Sequence, residues 1–404
     1  MKLLSEIKPY KKIILLAILL RMLIIPFYFH PDIKIYNFQA SFLKNGVFNI
    51  YSYLDSNKAS LPFKEEFVYF PLAYLFLGAY QIVALPFLGG QFTEWLNSGN
   101  PTDFIFRYLF ILKLPYLFLD ILIAILIYNC FEKKKQKEQA LILWLFNPFS
   151  IILIYFFSNI DIIPVTLTLL SLLFIKKNKG LWAGIFLVLG ASFKAYPILL
   201  LPALFLTKEK FKQKFINLLS SIALFVLILI PFWSKEFIIS SFSSGLTNRI
   251  FENGIEIGLT RKIPYFLIFY TIGFVHIYFK KRQKAWLFYL LTTLMLIASV
   301  NYNIQWLLWF LPFLIIMLVK NPKYLIYVLG IILIGVAIPL LLNDRYMNVA
   351  LLSPMSKIFL QVSYPYLFIQ QFINPLLIQK ILRILFFVFS ILILYKAIVN
   401  QKHA

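Results

Sequence analysis

ALILWLFNPFSIILIYFFSNIDIIPVTLTLLSLLFIK, residues 140–176, sets two long apolar runs on either side of a single carboxylate, Asp161, and an amide two residues before it, Asn159. A helix that crosses a bilayer core needs roughly 20 apolar residues. The runs are continuous and do not alternate with period two, which excludes the strands of a membrane barrel. The break between them, FFSNIDIIP at 156–164, is too short for an ordinary loop.

Working outward, further apolar runs lie at 13–29, 67–88, 105–130, 181–206, 215–233, 263–279, 285–300, 304–319, 324–342 and 376–396. With 61% of its 404 residues hydrophobic, the chain reads as an all-α polytopic membrane protein. The formal charge of +23 is not spread along it. Lys and Arg gather between apolar runs, at 1–12, 133–137, 176–179, 208–214, 280–284 and 320–323, and in the tail. That pattern assigns those clusters, and with them both termini, to the cytoplasm. It also excludes nucleic acid as a partner, because the basic residues do not build one face.

The first run is followed by PFYFHPD (26–32), which has no small-x-small cleavage site, so it reads as an uncleaved first helix. The single cysteine, Cys130, cannot form an intrachain disulfide and reads as structural. The one long outer segment is the loop 30–104.

Charge parity requires that one of the runs 67–88 and 105–130 fail to cross. Pro71, Pro86 and the following Gly89-Gly90 mark 67–88 as short broken helices, an outer-leaflet, re-entrant or interfacial segment. Parity also splits 181–206, bounded by basic clusters at both ends, into two half-helices broken at SFKAYP (192–197). Irregular backbone at that depth is tolerated only where protein or a water-filled cavity covers it. The count is about twelve membrane segments, two of them half-length, with outer-face juxtamembrane helices.

Ionisable groups near lipid depth are expensive, on the order of 2.5–3.5 kcal/mol each on insertion scales, and so mark candidate sites. They are Arg21, Lys113, Asp120, Asp161 and Lys194, with Asp32 and Arg107 at the outer rim. Lys113 and Asp120, seven apart on one helix, read as ties between helices. Arg21 reads as a packing partner or as a ligand. Residues 33–43 have apolar positions at helical spacing, so Asp32 stands at the start of a helix lying on the outer face. There it either caps that helix or acts as a surface carboxylate that takes a proton from a hydroxyl. Lys194 lies in the half-helix break beside Tyr196, placed either to pair with Asp120 or Asp161 or to meet a lipid phosphate. No zinc spacing, glycine-rich phosphate loop or Ser/His/Asp set competes, and His30 is too isolated to read as a ligand.

In order along the chain stand Asp32, Gly46 with Tyr51, YFPL at 69–72 and DILIAILIY from Asp120. They are followed by LWLFNP at 143–148, SNID at 158–161, FKAYP at 193–197 and QWLLW at 305–309. This ordered set resembles the GT-C glycosyltransferases, polytopic enzymes that take sugars from polyprenyl-phosphate carriers. Within them it is similar to the catalytic subunit of the GPI mannosyltransferase that adds the first mannose, and to prokaryotic relatives including glycosyltransferase family 87. The similarity runs over roughly 15–210, with an echo near 300–312.

The resemblance implies a GT-C-type catalytic module over 1–233 and variable transmembrane helices over 234–404. It implies transfer of a hexose, mannose being the sugar expected, from a polyprenyl-phosphate carrier to a lipid- or glycan-linked acceptor on the non-cytoplasmic face. Asp32 would be the base, and Lys194, assisted by Arg21 or Arg107, would hold the leaving phosphate. Tyr69, Asn159, Asp161, Tyr196 and Gln305 would line the substrate site, and a small membrane subunit is an open partner. The location implied is the cell membrane, or the endoplasmic reticulum in a eukaryote.

Two positions depart from the pattern. The mannosyltransferase carries Asp-x-Asp where this chain has Asp32 between His30 and Lys34, which leaves a divalent cation open. The glycine usual before Asn-x-Asp is Ser158 here. The rival readings are a transporter or flippase of lipid-linked sugars, a polymerase or ligase using Arg249 and Arg261 of loop 234–262, and a structural membrane partner without catalysis. A transporter calls for an internal repeat, and none is visible.

Overall fold

The computed structural model describes residues 8–98, 105–243, 245–257, 261–280 and 285–399; parts of the basic clusters at 1–12 and 280–284, and the end of the tail, lie outside them. The described chain is helical apart from one hairpin, Gly254–Ile257 paired antiparallel with Arg261–Pro264. The hairpin corrects the all-α expectation. It forms where Gly-Ile-Glu-Ile alternates with period two and is rich in β-branched side chains.

The first helix, α1 (Lys11–Ile24), ends in a 3₁₀ turn at Pro26, and the chain then turns by 85° into α2 (Pro31–Ala40). A helix thus forms where one was expected over 33–43. Next come α3 (Pro71–Leu88), α4 (Ile105–Tyr128) and α5 (Lys134–Leu145). Asn147-Pro148 bends the chain by 46° after α5, and a π-helical stretch, Ile152–Phe156, leads to the SNID turn. Then follow α6 (Ile162–Lys176), α7 (Gly180–Ala191), a 3₁₀ helix over Tyr196–Leu206, and α8 (Phe211–Leu229). The later half contributes α9 (Gly245–Glu252), α10 (Tyr265–Phe279), α11 (Ala285–Ser299), α12 (Leu311–Lys320), α13 (Leu325–Leu340) and α14 (Pro375–Val399).

Among the described residues, five helical segments are each long and apolar enough to span a bilayer, or seven when each of the two bent pairs counts as one. The other apolar helices are shorter, so the expected twelve segments are not twelve full spans. The half-helix pair forms as read, broken over 192–195. Twelve α-helical residues rise ~18 Å and eleven 3₁₀ residues ~22 Å. The pair therefore goes in and returns to its starting end, where Glu209 accepts from the Gly180 N–H at 3.0 Å.

α3 is one unbroken helix, not the broken segment expected. Pro71 stands at its first position, where an N–H would have no helical partner, and Pro86 falls in its last turn. Although α3 is long enough to span, its two ends are tied to the same end of the molecule. The Leu72 N–H donates to the carbonyl of Ser192 in the half-helix break, and Arg107 in the first turn of α4 donates to that of Phe87.

Three helical stretches that end in a basic or cysteine-bearing turn run in the same direction. Lys176 donates to the Cys130 carbonyl at 2.8 Å, and Lys320 lies over the rings of Phe131 and Trp286, which brings the ends of α4, α6 and α12 together. Their starts lie at the opposite pole with Asp32, Asp161 and Trp309. One continuous apolar core runs from Tyr10 to Ala397 and joins the two halves of the chain.

Candidate functional site

At that opposite pole, α2 begins with an N-cap from His30, whose Nδ1 accepts from the Asp32 N–H at 3.3 Å. His30 thus performs the capping for which Asp32 was a candidate, and the Asp32 carboxylate is left to turn inward. Its Oδ2 accepts from Asn159 Nδ2 at 3.2 Å, and Asn159 Oδ1 accepts from the Tyr69 hydroxyl at 2.9 Å. This line joins α2, the segment before α3 and the SNID turn. The Asp32 side chain keeps 23% of its surface exposed and lines an open, polar cavity of about 470 Å³ with Tyr36, Lys64 and Glu65. Burial raises its pKa above the usual carboxylate value, against the lowering pull of His30 and Lys194.

The turn itself has a strained residue. Ser158 has φ +50°, in the left-handed region that L side chains avoid. The glycine of the related pattern would fit there without strain; Ser158 is held by donating to the Tyr155 carbonyl at 2.8 Å. Ser158→Gly is expected to keep both fold and activity. Ser158→Val adds a β-branched side chain at positive φ and is expected to lower stability by about 1–2 kcal/mol, read as the midpoint of thermal unfolding in detergent.

Beyond the turn, Asp161 is buried and accepts three hydrogen bonds from two donors: Lys194 Nζ at 2.8 and 3.0 Å, and Trp309 Nε1 at 2.6 Å. Of the two pairings open to Lys194, the fold selects Asp161. The ammonium sits 5.2 Å from each of the ring centroids of Tyr69, Trp306 and Trp309. Tyr196 stacks on Trp309 at 4.1 Å, and Trp309 on Trp306 at 4.8 Å. Lys194 retains some exposure, 11% of its side chain, toward an apolar cavity of about 280 Å³ walled by these rings, Phe242 and Leu296. Both carboxylate contacts run to one partner, so an ammonium with three protons has a donor left for a ligand. Val68 borders both this cavity and the polar one.

Gln305 is buried beside Trp306, and its Oε1 has no hydrogen-bond partner. Arg249, from the loop 234–262, lies over the Trp306 ring at 5.6 Å and donates to the Asn301 carbonyl at 2.7 Å. The sequence marked Arg249 only as a feature of a rival enzyme class. Its place on Trp306 depends on a fold-back of the chain that no local pattern encodes. His30 was likewise passed over as isolated.

Two of the expected site residues lie elsewhere. Arg21 is fully buried and binds Asp120 Oδ2 at 2.5 Å, while Asp120 also accepts from Trp144 Nε1 at 2.6 Å and the Tyr155 hydroxyl at 2.8 Å. Lys113, the other candidate tie, donates to the carbonyls of Ile25, Tyr28 and Tyr155. Arg107 is spent on the Phe87 carbonyl and packs against Gly89. Neither arginine borders the two cavities. Lys34, where the resemblance would put a second acid, donates to the Ser98 carbonyl and lies over Trp95 at 5.2 Å, away from Asp32. Burial lowers its pKa to about 8.

Among proteins of known classification, no curated protein matches the chain. Residues 106–251 match the model of Glycosyltransferase family 87. The matched stretch contains Asp120, Asn159, Asp161, Lys194, Tyr196 and Arg249; Asp32, Tyr69 and Gln305 lie outside it.

Proposed function

We propose, from the glycosyltransferase family 87 domain that this multi-pass membrane chain carries, that the protein transfers a hexose from a polyprenyl-phosphate carrier to a hydroxyl of a lipid- or glycan-linked acceptor. Mannose is the sugar expected, and the non-cytoplasmic face the side. The observation that carries this reading is a pair of adjoining cavities of opposite character that meet at Val68. One is open and polar and presents the Asp32 carboxylate; the other is walled by aromatic rings and presents the Lys194 ammonium.

Asp32 takes the proton of the acceptor hydroxyl as its oxygen attacks the anomeric carbon. The bond from that carbon to the phosphate oxygen breaks on the opposite side, and the electron pair leaves with the phosphate. Lys194 offsets the charge that develops there, and Arg249 holds the carrier phosphate before and during the step. A displacement in one step inverts the anomeric centre. Asp161 and Trp309 act through Lys194 by fixing where its ammonium stands, and Tyr69 and Asn159 act likewise on Asp32. In this reading the catalytic module over 1–233 borrows Trp306, Trp309 and Arg249 from the remainder.

The test uses purified protein in lipid nanodiscs with native membrane extract as acceptor. Polyprenyl-phosphate mannose, glucose and galactose are offered in radiolabelled form, with the matching sugar nucleotides in parallel, with and without a divalent cation. Transfer from one lipid donor supports the reading and names the sugar. Transfer from a sugar nucleotide alone overturns it. Arg249→Gln removes a half-exposed charge that meets donor in ground and transition states alike. It is expected to raise the KM for donor about tenfold with kcat little changed.

A further inference from the structure

A third cavity, of about 280 Å³, meets the aromatic one at Val300. Asn253, Ser299, Asn301 and Arg383 supply its polar lining, and Phe386 and Phe387 are among its apolar walls. Arg383 sits eight residues into α14, ~12 Å from the helix start. Among the described residues Arg383 has no hydrogen-bond or ion-pair partner. The charged groups whose fields reach it are Arg249 and Glu252, and Glu252 is exposed and accepts from Asn301 at 3.1 Å. Ser299 Oγ is buried and also lacks a partner. The neighbouring Ile384 is 64% exposed, on a helix long and apolar enough to face lipid.

A guanidinium left unpaired beside an unused hydroxyl, in a cavity with aromatic walls and a lipid-facing rim, matches one kind of ligand: a phosphate on an apolar tail. We propose that this cavity binds the headgroup of an anionic phospholipid, whose phosphate no choline neutralises, with Arg383 as the phosphate ligand and Ser299 and Asn253 completing its contacts. The binding claim stands apart from the glycosyltransferase reading. If that reading holds, the lipid is the anchor of the acceptor, held one residue's width from the cavity where the donor sugar would sit.

The test labels the full chain in phosphatidylcholine nanodiscs with a diazirine-bearing phosphatidic acid, in the absence of any sugar donor. Labelled peptides are then mapped. Labelling is expected on 375–399, displaced by unlabelled phosphatidic acid and reduced roughly tenfold in Arg383→Gln. Arg383→Lys is expected to restore most of it, and Asp32→Asn to leave it unchanged. Equal labelling by a diazirine phosphatidylcholine, or none on this segment, overturns the proposal. So does displacement by millimolar inorganic phosphate, which identifies a site for the free anion. The wild-type displacement series decides the matter even if Arg383→Gln does not fold.

Discussion

Asp32→Asn is expected to reduce sugar transfer by ~10³-fold while the protein folds and extracts as wild type. General-base catalysis contributes typically 10²–10⁴-fold, and a carboxamide cannot accept the proton. The fold tolerates the change, because Asn at this position still offers Asn159 an acceptor oxygen and the helix cap comes from His30. The pH profile provides a second readout. A base works unprotonated, so activity falls as pH drops through its pKa. Burial raises that pKa, so the acid limb of kcat/KM is expected above the ~3.9 of a free aspartate. In Asp32→Asn the limb should vanish along with most of the rate. Full activity in the variant, or an unchanged acid limb, would remove the mechanism.

Arg21→Met is expected to be the most destabilising single change in the membrane core, at about 3–5 kcal/mol. It leaves the Asp120 carboxylate with no exposed surface and no counter-charge, supported only by Trp144 and Tyr155. Arg21 also donates to the Leu145 carbonyl, so the same change loosens α1 from both α4 and α5. Removing both charges, as in Arg21→Met with Asp120→Leu, should recover most of the loss, since apolar residues of similar volume often replace a buried pair at little cost. Unfolding midpoints of the two single variants and the double variant give the cycle. The double variant also separates architecture from catalysis. An unchanged donor KM places Arg21 outside the site, whereas a selective loss of donor use in a folded double variant would return it to the phosphate.

The arrangement explains why site and scaffold look alike in this sequence. Arg21, Asp120, Lys113, Asp161 and Lys194 are all charges in apolar surroundings, and nothing local distinguishes a pair that closes on itself from one that faces a cavity. Asp120 receives a cation, an indole and a phenol and is sealed. Asp161 receives a cation and an indole but, among the described residues, no phenol, and its cation retains an edge toward open space. The deciding difference is in what stands beyond the pair. The helix α3 makes the related point for backbone. Proline content argued for a break, but a proline that occupies a position with no hydrogen bond to lose interrupts nothing.

Some properties follow from the sequence alone, because they depend on composition and on neighbours along the chain. Apolar runs of helical length, basic clusters between them, the break at 192–197 and the turn at SNID are each legible in a window of a few dozen residues. The helix that follows the first apolar run belongs with them. The pairing of Lys194 with Asp161 rather than Asp120 needed the tertiary structure, as did the cap from His30 and the inward turn of Asp32. The same holds for the arrival of Trp306, Trp309 and Arg249 from the second half of the chain. Those are contacts between residues up to 148 positions apart. They form because burying each polar group obliges it to find a partner in space, and spatial neighbours are set by how the helices pack, which no stretch of the chain records by itself.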